Sequence, residues 1–294
     1  MNDQQNLVQV FKNYYNSGGM HVKLIFYNAT VFLVVGIMSV IGRFSDVDIN
    51  DLKINIFSLQ TDPEVFIAHP WGIVTSIFTH FDFFHFLFNM LLLFFTGRMY
   101  EHFFGSKKLW AVYLLGGISG GIMEILAHVL FPQVFNGHTF VIGASGSIMA
   151  IFAAVAIYRP HLPVKLFGII EVKIIFLALA YFIYDFLALG KNDGTAHFAH
   201  IGGLIFGYLT IVKPTVLNPF IRFWDKVSGF KFQRKSKKPK VILGGMKLTD
   251  EEYNAVKKAR QAKIDVILEK ISKSGYESLT TEEKNFLFIE SNKK

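Results

Sequence analysis

The chain has 294 residues, of which 52% are hydrophobic and only 18% are charged, and its mean hydropathy is +0.38. Soluble domains carry roughly a quarter of charged residues, so this composition indicates a membrane protein and argues against a soluble one. The chain contains no cysteine, which excludes disulfides, thiolate metal sites and a cysteine nucleophile, and 19 of its 30 Lys and Arg lie beyond Val212.

The first 23 residues are polar and show no apolar core followed by a small-residue cleavage site, so we expect an uncleaved cytoplasmic segment at 1–23. Six apolar runs then approach the roughly 20 residues that a helix needs to cross a bilayer. They are residues 24–41, 83–96, 109–126, 145–158, 174–189 and 196–212. The sequence therefore predicts an all-α polytopic membrane protein with a six-span core at 24–212.

Basic residues in the loops predict the orientation of these spans. The segments 98–108 and 159–173 and the tail after Val212 are all basic, and cytoplasmic loops carry the excess of Lys and Arg. Both termini are therefore expected in the cytoplasm. The long loop 42–76 would lie on the outer side, where its acidic and aromatic residues are typical of an interfacial element.

The part of the chain after the last run has a soluble character. Residues 213–248 form a basic linker, in which six basic residues lie between Lys231 and Lys240. We interpret this run as a solvated tail near anionic lipid, because no aromatic interleaving or motif supports nucleic-acid binding. Residues 249–294 predict a small cytoplasmic extension of two helices, the second capped by Thr280 and Glu283.

Glycine pairs spaced by four residues recur in the third and sixth runs: Gly116 with Gly120, Gly117 with Gly121, and Gly203 with Gly207. Small residues at this spacing let two helix backbones approach closely inside a membrane. They predict helix packing and carry no chemistry of their own.

Three polar clusters open the second, fourth and sixth runs, where polar side chains are expensive and are therefore functional candidates. They are His80, His85 and Asn89; Gly143, Ser145 and Gly146; and His197, His200 and Gly203. In the expected orientation these three runs all begin at the outer face. The clusters are therefore predicted to meet at similar depth in the outer half of the membrane.

A hydroxyl and an imidazole in these clusters could form a hydrolytic pair. Ser145 needs a base to accept its proton, and His200 is suitable because an unperturbed imidazole titrates near neutrality. His85, Asn89 and the backbone N–H of Ser145 could stabilise an oxyanion. Since no carboxylate shares the helical face of His200, the sequence favours a Ser-His dyad, with Asp185 left as a structural or site-contacting candidate.

The motifs HxxxxHxxxN at 80–89, GASG at 143–146 and AHxxG at 199–203, with GxxxE at 97–101 and Gly105-Ser106, resemble the rhomboid intramembrane proteases in order and spacing. The resemblance implies a six-transmembrane-helix rhomboid-like bundle in the bacterial inner membrane that hydrolyses peptide bonds in transmembrane protein substrates. It implies no cofactor and no metal.

The same resemblance implies individual roles. Ser145 attacks the carbonyl, His200 transfers the proton, His85 and Asn89 hold the oxyanion, and Gly143 and Gly146 shape the nucleophile loop. One departure is Met149, where relatives often have a tyrosine that stacks on the catalytic histidine; a methionine can still pack against an imidazole edge. His80 and His197 are expected to line the site or to lie at the membrane interface.

Three other functions were weighed. A zinc enzyme is disfavoured, because the HExxH motif is absent and His80 and His85 do not share a helical face. A transporter is disfavoured, because the sequence shows no pair of broken helices in repeated halves and no chain of charged residues at the midplane. A non-proteolytic rhomboid-like adaptor that binds client helices is the stronger alternative, but it would lack the serine or the histidine, and both are present here.

Overall fold

The computed structural model describes residues 7–135, 139–166, 169–191, 193–227, 242–243, 246–247 and 264–291. The chain divides into two compact units, Met1–Val227 and Ser228–Lys294. The basic run at 231–240 and the beginning of the extension expected at 249–294 lie outside the described residues.

Helices dominate the first unit. They are α1 (Leu7–Ser17), α2 (Met20–Phe44), α3 (Asn50–Phe57), α4 (Pro63–Ala68), α5 (Gly72–Thr75), α6 (Phe83–Phe104), α7 (Ser106–Leu130), α8 (Ser145–Tyr158), α9 (Ile174–Leu187), α10 (His197–Val212) and α11 (Asn218–Val227). Short 3-10 turns occupy Ser76–Phe78 and Pro214–Leu217. Two antiparallel strand pairs link loops: β1 (Leu59–Gln60) with β2 (Phe140–Val141), and β3 (Pro163–Leu166) with β4 (Ile170–Lys173).

Six apolar helices, α2 and α6 to α10, coincide with the six predicted runs and confirm an all-α membrane bundle. Among the described residues, three helices (α2, α6 and α7) are long and apolar enough to cross a membrane alone, or four if α10 is joined to the segment Pro214–Val227, which bends from it by 111°. Helices α8 and α9 have 14 residues each, or about 21 Å, against a hydrocarbon core of about 30 Å.

The short helix α8 lies at the centre of the bundle, where its side chains from Gly146 to Ala156 are mostly buried. Glycines of α7 and α10 bring those helices against it. A Cβ at Gly116 would overlap Ala150, and one at Gly203 would overlap the Gly146 carbonyl. The predicted glycine spacing thus serves close packing, as expected for small residues in a membrane bundle.

The end of α6 ties three helices together through Glu101. Its carboxylate accepts hydrogen bonds from the N–H groups of Met20 and His21, at 2.7 and 3.1 Å, and from the hydroxyl of Ser106. The N-terminus of α2 has no side-chain cap of its own, so Glu101 satisfies N–H groups that a helix start leaves unpaired. The GxxxE and Gly-Ser motifs therefore act together at this end of the bundle.

The segment 213–227, expected to be part of a linker, is structured and belongs to the first unit. Leu217 is buried, the Trp224 ring lies 5.1 Å from the Trp110 ring, and the Asp225 carboxylate pairs with Lys107 at 2.7 Å. These aromatic and ionic contacts hold α11 against α7, and they could not be inferred from the charge of the segment.

The second unit contains the strand pair β5 (Ile242–Leu243) and β6 (Met246–Lys247), helix α12 (264–274), a 3-10 turn at Tyr276–Ser278 and α13 (Thr281–Ser291). The predicted capping box is confirmed: the Thr280 N–H donates to Glu283, and the Glu283 N–H donates to the Thr280 hydroxyl. Lys270 of α12 pairs with Glu283 at 2.8 Å, which joins the two helices.

Candidate active site

Ser145 is the first residue of α8, and the loop before it is held by the segment that precedes α6. Gly143 has φ +119 and donates its N–H to the Ser76 carbonyl at 2.9 Å, and the Ala144 N–H donates to His80 Nε2 at 3.3 Å. A backbone with this φ favours glycine. The loop therefore turns sharply and presents Ser145 at the start of the helix.

The Ser145 hydroxyl and the His200 imidazole meet, as the motifs predicted. The Oγ atom lies 2.8 Å from Nε2, and His200 is 5% exposed. Close packing of Gly203 on Gly146 brings α10 against α8 one turn below the pair. Ser145 Oγ and His200 Nε2 are thus within hydrogen-bond distance, which is the contact a general base needs with its nucleophile.

Asp185, which the sequence left as a structural or site-contacting candidate, lies beside His200. This fully buried carboxylate of α9 lies 3.1 and 3.2 Å from His200 Nδ1 and 2.6 Å from His197 Nδ1. Residue spacing along α10 identifies only the neighbours of His200 on its own helix, and Asp185 lies on a different helix. The structure therefore contains a Ser145, His200 and Asp185 series.

Tyr181, also on α9, is a second neighbour that the sequence analysis missed. Its ring centroid lies 5.9 Å from that of His200, and its hydroxyl lies 3.4 Å from Nδ1. A tyrosine therefore does face the histidine, but it comes from α9 and not from position 149. Met149 is buried and lines the same cleft.

The cleft in front of the pair has a volume of about 720 Å³, and His85, Asn89, Ser145, Met149 and His200 all line it. The His85 ring lies against the nucleophile loop, since a Cβ at position 143 would be 2.9 Å from it. The Asn89 amide donates to the His85 carbonyl at 2.8 Å.

Two histidines that were expected to line the site lie behind it. His80 is fully buried and accepts from the Ala144 N–H, so it supports the nucleophile loop. His197 is 3% exposed and is bound on its two ring nitrogens by Asp185 and Asp193. His80 lies in the loop before α6, and His197 lies on the side of α10 that faces α9.

Glu124 of α7 is a buried carboxylate that the sequence analysis did not single out. Its Oε2 accepts from the Ala199 N–H at 2.9 Å, and α10 has no side-chain cap at Ala196. Glu124 therefore caps the helix that carries His200. A carboxylate inside an apolar run indicates a functional or structural role, and Glu124 lies within the run 109–126, away from the clusters at the starts of the runs.

Asp185, His197 and His200 also form the kind of donor set that could hold a metal ion, because their ligand atoms lie within 4.8 Å of one another. The hydrogen bonds described above already engage both nitrogens of His200 and both nitrogens of His197. Each of these four ring nitrogens thus already has a hydrogen-bond partner within the protein.

Comparison with known proteins gives consistent matches. The family model of the Rhomboid domain matches residues 68–214, and a family of unknown function matches residues 248–292. The chain is 30% identical over 164 residues to Rhomboid protease AarA of Providencia stuartii, covering 47% of this chain and 54% of that protein.

Two proteins of Arabidopsis thaliana show similar likeness. RHOMBOID-like protein 1 is 30% identical over 47% of this chain and 33% of its own length, and Inactive RHOMBOID-like protein 8 is 32% identical over 46% and 35%. The matched region thus covers between a third and about half of these relatives. The Rhomboid domain model matches half of the chain, and the matched residues include both Ser145 and His200. The protein is therefore a member of the rhomboid family.

Proposed function

We propose that the protein is an intramembrane serine endopeptidase in which Ser145 is the nucleophile and His200 is the general base. The observation that carries the proposal is the 2.8 Å contact between Ser145 Oγ and His200 Nε2, with both groups at the wall of a cleft. A relative whose name identifies it as a rhomboid protease supports the same chemistry.

In the proposed reaction His200 Nε2 accepts the Ser145 proton while Oγ bonds to the substrate carbonyl carbon. The tetrahedral oxyanion that forms would be stabilised by the Ser145 N–H, which lies in the unpaired first turn of α8, and by His85 and Asn89. His200 then gives the proton to the leaving amine as the C–N bond breaks. Water repeats the sequence on the ester, which releases the acid and restores the hydroxyl.

The substrates proposed are peptide bonds in or near transmembrane segments of other membrane proteins. The cleft is formed by helices of an apolar bundle, so a bilayer surrounds it and a substrate helix would reach it from the lipid. The basic loops support an orientation with both termini in the cytoplasm, and the membrane proposed is the bacterial inner membrane that the family resemblance implies. Neither nucleic acid nor a metal is part of this proposal.

The test is cleavage of a single-span reporter by the purified chain in detergent. Ser145→Ala should reduce cleavage by at least about 10³-fold, because the attacking oxygen is removed. Ser147→Ala is a matched control, since this buried hydroxyl on the same helix has no hydrogen-bond partner and its loss should leave activity within about twofold.

A Ser145→Ala chain that still cleaves would contradict the nucleophile assignment. If the parent chain neither cleaves nor reacts with a fluorophosphonate, but captures client helices, the protein would instead be a non-proteolytic adaptor. The family likeness of this chain extends to a relative that is named as inactive.

A further inference from the structure

A buried carboxylate faces two imidazoles behind the cleft. Asp185 is 0% exposed, and its Oδ1 lies 2.6 Å from His197 Nδ1 and 3.1 Å from His200 Nδ1. Its Oδ2 lies 3.2 Å from His200 Nδ1. A buried carboxylate needs hydrogen-bond donors to stay ionised, and these two rings provide them.

The contacts define which ring nitrogen of His200 carries the proton. An ionised carboxylate can only accept hydrogen bonds, so Nδ1 must be the protonated nitrogen where it faces Asp185. Nε2 is then unprotonated and free to accept the Ser145 hydroxyl at 2.8 Å. Asp185 therefore selects the tautomer in which His200 can act as a base.

His197 competes for the same carboxylate. Its second nitrogen, Nε2, lies 3.2 Å from the Asp193 carboxylate, and the Thr195 N–H that donates to Asp193 lowers the pKa of that exposed group. The contact of His197 with Oδ1 takes up part of the hydrogen-bonding capacity that Asp185 offers to His200.

We propose that Asp185 is a positioning residue that orients His200 and selects its Nδ1–H tautomer, and that His197 weakens this effect by sharing the carboxylate. The proposal rests on the proposed function and adds a third and a fourth member to its Ser-His pair. Asp185 acts through His200 and has no contact with the cleft.

Other titratable or charged groups also surround this series. They are His85 on α6, Glu124 on α7, Tyr181 and Tyr184 on α9, and Lys191 in the following loop. Glu124 is engaged by the Ala199 N–H, and the Tyr181 hydroxyl is 3.4 Å from His200 Nδ1. Among the described residues, Asp185 is thus the carboxylate in direct contact with His200.

The test compares the pH dependence of kcat/KM for the full chain and two variants, using a reporter without titratable groups near the cut. Protonated His200 cannot accept the serine proton, so kcat/KM falls as the pH is lowered, and this fall is the acid limb of the pH profile. Asp185→Asn removes the negative charge beside His200 Nδ1, and should move the acid limb to lower pH and reduce kcat/KM by about 10²–10⁴-fold. His197→Gln leaves Asp185 wholly to His200 and should move the limb to higher pH.

Two further variants separate positioning from structure. Asp185→Glu keeps a carboxylate and should return the acid limb towards the parent value, even if kcat/KM stays reduced. Glu101→Gln changes a partly buried carboxylate at the other end of α6 from His85, and should lower the melting temperature without moving the limb. Fluorophosphonate reaction with Ser145, followed across the same pH range, should show the same shifts.

Opposite shifts for Asp185→Asn and His197→Gln would support the proposal. Limbs that stay at the parent pH in both variants would overturn it while leaving the proposed function intact, because the parent still cleaves. If Asp185→Asn does not fold, the shifts in His197→Gln and Asp185→Glu decide. A parent chain that neither cleaves nor reacts would overturn the proposed function and this inference together.

Discussion

At the scale of single residues, Gly143 shows how a missing side chain shapes the candidate site. Its φ of +119 turns the loop, and the space where a Cβ would lie is occupied by the His85 ring, 2.9 Å away. The proposed oxyanion donor thus packs directly on the nucleophile loop. The position needs glycine for both its backbone conformation and its contact.

We therefore expect Gly143→Ala to reduce kcat/KM by at least about 10²-fold, because the new methyl displaces His85 or the loop, and a donor lost from an oxyanion site has about this effect. Gly105→Ala is the matched control: its φ is +83, but nothing lies within 4 Å of the added Cβ. It should lower stability by about 1 kcal/mol and keep normal cleavage. Equal activity in the two variants would contradict the proposed contact.

At the scale of elements, α8 is a 14-residue helix that carries the nucleophile and is enclosed by its neighbours. Its burial explains how so short a helix is accommodated: its ends need not meet lipid headgroups when other helices surround it. Glycines of α10 allow that enclosure. A Cβ at Gly207 would overlap the backbone carbonyl of Ala150.

Gly207→Ala should destabilise the bundle by about 1–3 kcal/mol, since a methyl group is forced into a packed helix interface. Thermal unfolding in detergent would show this as a lower melting temperature. Gly36→Ala in α2 is the control, because nothing lies within 4 Å of its added Cβ. It should be neutral or stabilising by up to about 1 kcal/mol. A lowered melting temperature for Gly36→Ala alone would contradict the packing argument.

At the scale of the whole molecule, charge is distributed unevenly about the apolar bundle. Basic residues follow the ends of α6 and α8, while the loop between α2 and α6 carries six of the twelve acidic residues that precede Val212. Lys and Arg bias membrane insertion so that their loops remain in the cytoplasm. This asymmetry supports the proposed orientation of the first unit.

Because the chain has no cysteine, a single introduced thiol can report orientation without background. Asp51→Cys on exposed α3 should react with a membrane-impermeant maleimide in intact spheroplasts. Lys226→Cys, on exposed α11, should react only after the membrane is permeabilised. Reaction of Lys226→Cys in intact spheroplasts, with Asp51→Cys protected, would show the opposite orientation.

The sequence by itself determined the six apolar runs, the glycine packing pattern and the pairing of Ser145 with His200, because hydropathy and short motifs are local properties. Only the tertiary structure decided what lies behind that pair. Asp185 and Tyr181 come from α9, and Glu124 comes from α7, so their contacts with α10 depend on how helices dock against one another. The spacing of residues along one helix identifies neighbours on that helix only. The packing of α9 against α10 places the Asp185 carboxylate beside His200.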